Sequence, residues 1–387
     1  MITKEWPPQI YGGAGVHVTN LVSALTQTAE QRSGIAYRVD CQVHCFGPER
    51  SDAQGYEIDS DFSGINPALQ ALVIDSDIAK NLSNIDIAHS HTWYANFAGY
   101  LASKMFGIPH IVTAHSLEPL RPWKSDQLGG GYKISSWAEK TAFEAAAAII
   151  AVSDGMRADV LAAYPAVNPA KVVTIRNGVD TQKFAPNHDT TVPESFGISG
   201  PYAIFVGRIT RQKGLAHLLR AWKDVPAEYG LVLAAGSPDE EGIGNEVAAL
   251  IADLHRTRSN IWWIKEMLPH EQLTAMLTAA DLFICPSIYE PLGIVNLEAM
   301  ACETAVLGSR VGGIPEVVAD KETGELVDYN GEAGSFEKAL TESISRLMAQ
   351  PQLLQQYGNA GRIRAQKLFG WDAVAALTVD LYRRVLA

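Results

Sequence analysis

Two carboxylates, Glu290 and Glu298, bracket the segment Tyr289-Glu290-Pro291-Leu292-Gly293-Ile294-Val295-Asn296-Leu297-Glu298. On one continuous helix, eight steps of about 100° would leave them roughly 80° apart, so a shared helical face explains the pair poorly. Pro291 and Gly293 point to a loop that turns into a helix. Glu290 then sits in the loop after an apolar strand, Gly293 and Ile294 offer backbone N–H groups at the helix start, and Glu298 lies further along. Amides of that kind take a phosphate, and carboxylates on either side accept hydrogen bonds from sugar hydroxyls. The chemistry is that of a sugar-nucleotide clamp; the alternative is a loop and helix with two solvated acids.

Cations and glycines elsewhere suit the same ligand. Gly207-Arg208-Ile209-Thr210-Arg211-Gln212-Lys213-Gly214 follows the apolar run Tyr202–Val206 and opens a helix, placing Arg208 and Lys213 where open α/β sheets bind ligands. Arg208 has the fork to hold two phosphate oxygens, and Lys213 acts as a point charge. Gly12-Gly13-Ala14-Gly15 precedes another helix and offers a second phosphate cradle, although it matches neither a P-loop nor G-x-G-x-x-G. His89, His91 and His115 end two strands of the first half. His89 and His91 share a strand face, but no carboxylate or cysteine completes a metal motif, so no metal is expected and His89 reads as a core histidine. Asp59-Ser60-Asp61 and Asp75-Ser76-Asp77 match a D-x-D signature, but neither follows a convincing strand, and both read as solvated loop or helix-end acids. A glycine and proline loop carries Arg121, Trp123, Lys124, Tyr132 and Lys133. Its aromatics suit sugar rings and its cations an acceptor phosphate; a plain surface loop is the alternative.

Apolar runs of strand length alternate with helix-period segments throughout, the pattern of βα units around parallel sheets, so the fold class is α/β. Strands are expected at 37–45, 85–89, 110–114, 147–152 and 171–175, and then at 202–206, 231–235, 261–264, 282–285 and 305–307. Helices are expected at 16–27, 94–104, 134–146 and 154–163. Met1-Ile2-Thr3 leaves an unusually short first strand, which implies either residues missing from the start or a strand that contributes little. With 387 residues the chain suits two domains, 1–180 and 181–370, joined by the glycine- and proline-rich stretch 177–200. Trp371, Val374, Leu377, Leu381 and Val385 recur at helical spacing and need an apolar surface. A net charge of −12 opposes general nucleic-acid binding. No apolar run reaches the roughly 20 residues of a membrane span, no signal peptide is evident, and four cysteines without a C-x-x-C pair argue against a disulfide framework, so a cytoplasmic protein is expected.

Taken together, Trp6-Pro7-Pro8, Gly12–Gly15, His115, Arg176–Asp180, Arg208 with Lys213, Glu290 with Glu298, and Ser309–Glu316 resemble, in order, the motifs of the retaining glycosyltransferases of family 4. The resemblance implies a GT-B fold, two Rossmann-like domains with parallel sheets facing across a deep cleft, the helix 371–387 returning to the first domain. It implies that His115 lies beside the donor sugar, Arg208 and Lys213 meet the donor pyrophosphate, and Glu290 and Glu298 contact the transferred sugar and the ribose. Gly12, Gly13, Met267, Gly293, Ile294 and Val295 complete the donor set, and His91 joins Arg121, Trp123, Lys124, Tyr132 and Lys133 on the acceptor. The loops 114–124 and 129–137 most resemble the actinobacterial ADP-glucose-dependent synthases of glycogen or α-maltose 1-phosphate. The implied reaction moves glucose from ADP-glucose to glucose 1-phosphate, with α-1,4-glucan elongation from ADP-glucose or UDP-glucose as the alternative. A GT-B sugar-nucleotide epimerase and a non-catalytic sugar-nucleotide-binding protein are further alternatives. No cofactor or metal is expected, cleft closure is expected to exclude water, and a homodimer is expected by analogy.

Overall fold

The computed structural model describes residues 1–10, 12–31, 39–122 and 124–387. The chain divides into two compact units, 1–178 with 371–387 and 179–370. In the first unit the strands are β1 Ile2–Thr3, β2 His44–Phe46, β3 Gln54–Tyr56, β4 Ala88–His91, β5 His110–Ala114, β6 Ala148–Ala151 and β7 Val172–Thr174. In the second they are β8 Tyr202–Val206, β9 Gly230–Ala234, β10 Ile261–Ile264, β11 Leu282–Cys285, β12 Ala305–Ser309 and β13 Gly324–Val327. Among the described residues each unit holds one wholly parallel sheet, ordered β3-β2-β1-β4-β5-β6-β7 and β10-β9-β8-β11-β12-β13. Both are doubly wound Rossmann orders, and in both the winding reverses at one point, between β1 and β4 and between β8 and β11. Crevices for ligands form beyond the carboxyl ends of the strands at such reversals.

Central strands are buried on both faces, which is why they read as continuous apolar runs rather than alternating ones. In the second unit Phe205, Leu231, Leu233, Leu282, Ile284 and Leu307 form a core with Leu218, Leu219, Trp222 and Phe336 from the covering helices. In the first, Leu21, Leu25, Ile111 and Ile150 pack against Trp371, Val374 and Leu381 of the helix Trp371–Leu386. Leu377, expected on that buried stripe, is instead 52% exposed, because a period of 3.6 carries the stripe through Thr378.

Three sequence-based expectations are corrected. Of the run 37–45, only His44 and Cys45 are strand, in β2; 39–43 is irregular, and 37–38 fall outside the described residues. The stretch assigned to the linker is largely integral to the second unit, where the Asn187 backbone N–H donates to Thr278 (3.0 Å) and Phe184 packs edge-on against His270. Asp75 is no solvated acid: it is fully buried within the helix Pro67–Ala79, and its carboxyl is raised well above the usual range by desolvation. Asp59 is exposed and caps a 3₁₀ turn, and Asp77 is half-buried and pairs with Lys80.

A cavity of about 580 Å³ opens at the amino-terminal edge of the first sheet, among Met1, Cys41, Ile85, His89, Tyr382 and Leu386. That edge is opposite the one carrying the ligand crevice. No helix among the described residues is long and apolar enough to cross a membrane.

Candidate active site

In the second unit the turn after β8 and the loop after β11 meet at the winding reversal. Gly214 (φ 66°) makes this possible: a Cβ there would stand 1.9 Å from the Pro286 carbonyl oxygen, so only glycine lets the Lys213 turn lie against the end of β11. Lys213 Nζ donates to Glu290 Oε2 at 2.7 Å, with 16% and 8% of the two side chains exposed. Burial pulls the Lys213 ammonium down, but the charge and hydrogen bond of Glu290 more than offset it and the net shift is upward. Ser287 Oγ donates to the same carboxylate oxygen at 3.1 Å. The Glu290 carbonyl accepts from Gly313 N–H at 3.0 Å, and Gly312 (φ 51°) passes so close that a Cβ would lie 1.9 Å from that oxygen. Glu290 is therefore fixed at its carboxylate by Lys213 and Ser287 and at its backbone by the Gly312 turn.

Arg208 donates through Nη1 to both carboxylate oxygens of Asp239, at 2.8 and 3.0 Å. Asp239 N–H in turn donates to the Ile209 carbonyl at 3.1 Å, stitching the two loops together. Gly293 begins the helix Ile294–Ala301 with no side chain capping it, so the first-turn N–H groups of Ile294 and Val295 present the positive end of the helix. Glu298 is half-buried in that helix, its carboxyl pushed up to about 7 by desolvation against the pull of the Lys213 charge. Met267 is 82% exposed in the loop beyond β10.

In the first unit His91 Nδ1 and His115 Nε2 lie 3.0 Å apart, and His17 completes a triangle with ring centroids 5.5 and 4.8 Å from theirs. Desolvation lowers all three, His17 to about 4 and the others well below the usual imidazole value, so the cluster is neutral near pH 7. Among the described residues this is the group whose nitrogens, within 4.8 Å of one another, could hold a metal ion. His89 is not part of it: its nitrogens bond Tyr382 and Thr113, both at 2.7 Å, as befits a core histidine. The sequence reading missed His17; its place in the first turns of a helix opened by the glycine run was the available signal.

The glycine run itself plays a different part from the one expected. Gly12 N–H donates to Glu5 Oε2 at 2.8 Å, and a Cβ on Gly15 would stand 2.7 Å from that same oxygen, so the turn wraps a buried carboxylate of its own chain. Gly13 is exposed at the start of the helix Gly13–Gln31.

Of the acceptor set, Arg121 and Tyr132 serve the loop. Arg121 pairs with the fully buried Glu118 at 2.5 Å, Ser135 Oγ donates to the other oxygen of Glu118 at 2.7 Å, and Tyr132 OH donates to the Glu118 carbonyl at 2.8 Å. Glu118 N–H reaches Glu139, which also accepts from Tyr164 and whose carboxyl is pushed up to about 8 by desolvation and then by the Glu118 charge. Lys124 is half-buried, Lys133 is exposed, and Trp123 lies outside the described residues.

Paired carboxylate and ammonium at a doubly wound reversal, beside an uncapped helix start, form a crevice suited to an anionic ligand, and two such sheets in one chain are the architecture of GT-B glycosyltransferases. Residues 11–183 match the family model "Glycosyltransferase Family 4", and residues 192–364 match "Glycosyl transferases group 1". Over its whole length the chain is 48% identical to the α-maltose-1-phosphate synthases of Mycolicibacterium smegmatis and Mycobacterium tuberculosis, covering 99% of each. A D-inositol 3-phosphate glycosyltransferase of Catenulispora acidiphila is 32% identical over 77% of this chain and 70% of its own. Among solved structures, sucrose-phosphate synthase from Thermosynechococcus elongatus superposes with a TM-score of 0.81 at 24% identity, covering 100% of this chain and 99% of its own, a likeness of fold. The chain belongs to the family 4 glycosyltransferases and is a hexosyltransferase.

Proposed function

We propose that this enzyme transfers glucose from ADP-glucose to the 4-hydroxyl of glucose 1-phosphate, with retention, giving α-maltose 1-phosphate. The near full-length likeness to enzymes bearing that name supports the reaction, and the observation that carries the chemistry is the Lys213–Glu290 pair at the β8/β11 reversal. In the proposed step the bond between the anomeric carbon and the donor phosphate oxygen breaks, and ADP leaves. The acceptor hydroxyl attacks the same face, its proton passing to the departing phosphate. Arg208, Lys213 and the amides of Ile294 and Val295 would hold the charge that develops on the leaving group, where fixed donors act most strongly. Glu290, held by Lys213, Ser287 and the Gly312 turn, would position the transferred sugar, and Glu298 the ribose. His91 and His115, neutral, would supply hydrogen bonds rather than charge.

Product analysis with ADP-glucose and UDP-glucose, each offered glucose 1-phosphate or glycogen, tests the reading. The expected product is maltose 1-phosphate, formed faster from ADP-glucose; label appearing solely in glycogen would replace the reading with glucan elongation. We also propose a preference for adenine, a cytoplasmic location, independence of metal and assembly as a homodimer. Activity in excess chelator and sedimentation test the last two.

A further inference from the structure

Three histidines meet near the winding reversal of the first sheet, each from a different element. His91 is the last residue of β4, His115 directly follows the neighbouring β5, and His17 sits in the first turns of the helix Gly13–Gln31. That helix follows β1, which pairs with β4, so the helix start and the strand ends converge by topology. His91 Nδ1 and His115 Nε2 are 3.0 Å apart, the three ring centroids are separated by 4.8 to 5.5 Å, and one nitrogen from each ring lies within 4.8 Å of the other two. Trp371 seats the His17 ring edge-on, with centroids 5.3 Å apart. His91 is fully buried and its Nε2 has no hydrogen-bond partner, while His115 is half-buried and gives the cluster an accessible side. One hydrogen bond between two rings does not account for three imidazoles packed so closely.

We propose that His17, His91 and His115 form a binding site for a borderline divalent transition metal, Zn²⁺ foremost, and that the bound ion reversibly blocks transfer. Zn–N bonds of about 2.0–2.1 Å in a tetrahedral site set neighbouring nitrogens about 3.3 Å apart. The His91–His115 edge already has close to that length. The longest edge has to close by no more than about 1.5 Å, which one ring achieves by turning about its side-chain torsions. Imidazole nitrogens select Zn²⁺ and its neighbours over Mg²⁺ and Ca²⁺, which take oxygen. The group holds three histidines without carboxylate or cysteine, so a fourth position is left to water, as in open three-ligand sites. An ion there ties up the nitrogens that His91 and His115 would offer to a sugar. The block rests on the proposed part of those two residues in sugar binding; the site itself does not.

Calorimetric titration of the full chain with zinc chloride, without substrates, should show one ion per chain, and cobalt chloride should give the visible bands of four-coordinate Co²⁺ instead of the faint absorption of the hydrated ion. His17→Gln should weaken zinc binding by more than the 10- to 100-fold or so that loss of an outer-shell partner costs, and should abolish the Co²⁺ bands. His115→Gln, at the accessible corner, should lose the bands as well, and His188→Gln, at an exposed histidine outside the cluster, should keep them. In the transfer assay zinc should lower wild-type turnover about 10²–10³-fold, the range for losing a fixed donor at the reacting group. Chelator should restore the rate, magnesium chloride should not inhibit, and His17→Gln should be spared. Absence of a stoichiometric zinc complex, or Co²⁺ bands that survive in both His17→Gln and His115→Gln, overturns the site. Zinc bound with turnover intact, or inhibition that persists in His17→Gln through zinc on the substrates' phosphates, overturns the block. The binding readouts need no substrate, so their failure is distinct from a failure of the proposed reaction, which product analysis decides.

Discussion

At the scale of single residues the site depends on pairs whose members are far apart in sequence. Lys213 and Glu290 neutralise each other across 77 positions, and neither is well exposed. Lys213→Ala therefore has two separable effects. Turnover should fall about 10²–10³-fold, as for loss of a donor to a developing anion, and stability should fall by about 3 kcal/mol because a buried carboxylate loses its partner. The double variant Lys213→Met/Glu290→Gln should recover the melting temperature and leave turnover low, which melts and kinetics on the same samples would separate. Glu298 supplies a pH signature. Its folded carboxyl is raised from the ordinary 4.5 to about 7, so the folded state binds the proton more tightly than the unfolded chain, and stability is lost as pH rises from about 4.5 through 7. Glu298→Gln should melt progressively higher than the wild type across that window, and the difference should level off above it; a difference independent of pH would refute the assignment. Arg208, Lys213 and Glu290 were legible because a strand end followed by a charged residue marks a crevice. Asp239, Ser287 and His17 were not, because what marks them is a partner that only the fold supplies.

Elements deliver these residues through backbone contacts that leave no room for side chains. At Gly214 and Gly312 the chain is both left-handed and pressed against a carbonyl oxygen, of Pro286 in one case and Glu290 in the other. Gly312→Ala should cost at least the 1–3 kcal/mol or so of a strained backbone and displace Glu290, lowering turnover along with the melting temperature. Gly64→Ala, where nothing lies within 4 Å, is the control that should change neither. The strands that sequence reading found, β8 through β12, are apolar because helices cover both faces. The ones it missed lie at the ends of the sheets, where that pressure is relieved. Gln54-Gly55-Tyr56 of β3 and Gly324-Glu325-Leu326-Val327 of β13 are short edge strands that mix polar with apolar residues and leave part of their length accessible. Asp75 was read as solvated for the opposite reason, as a polar residue buried where one helix packs on another.

For the molecule as a whole, the second unit is inserted into the first, since 179–370 lies between two stretches that share one core. Leu381→Ala, removing a buried side chain where the helix Trp371–Leu386 meets Leu21 and Leu25, should destabilise the first unit by about 2–5 kcal/mol. Binding of ADP by the second unit should persist; calorimetry below the melting transition would show both, and loss of ADP binding in parallel would mean that the units do not act separately. The apolar periodicity of that last helix was plain in the sequence, but which sheet it covers was not, because an apolar stripe asks for a surface without naming one. The insertion also sets an order of events on the ribosome. Residues 179–370 can emerge and fold as a complete body while the first unit still lacks its closing helix, whose contacts to the helix Gly13–Gln31 span almost the entire chain. The earlier-made stretch of the first unit is thus finished after the second unit, and until residues 371–387 leave the exit tunnel, the apolar faces of Leu21, Leu25 and Ile150 lack the helix that covers them.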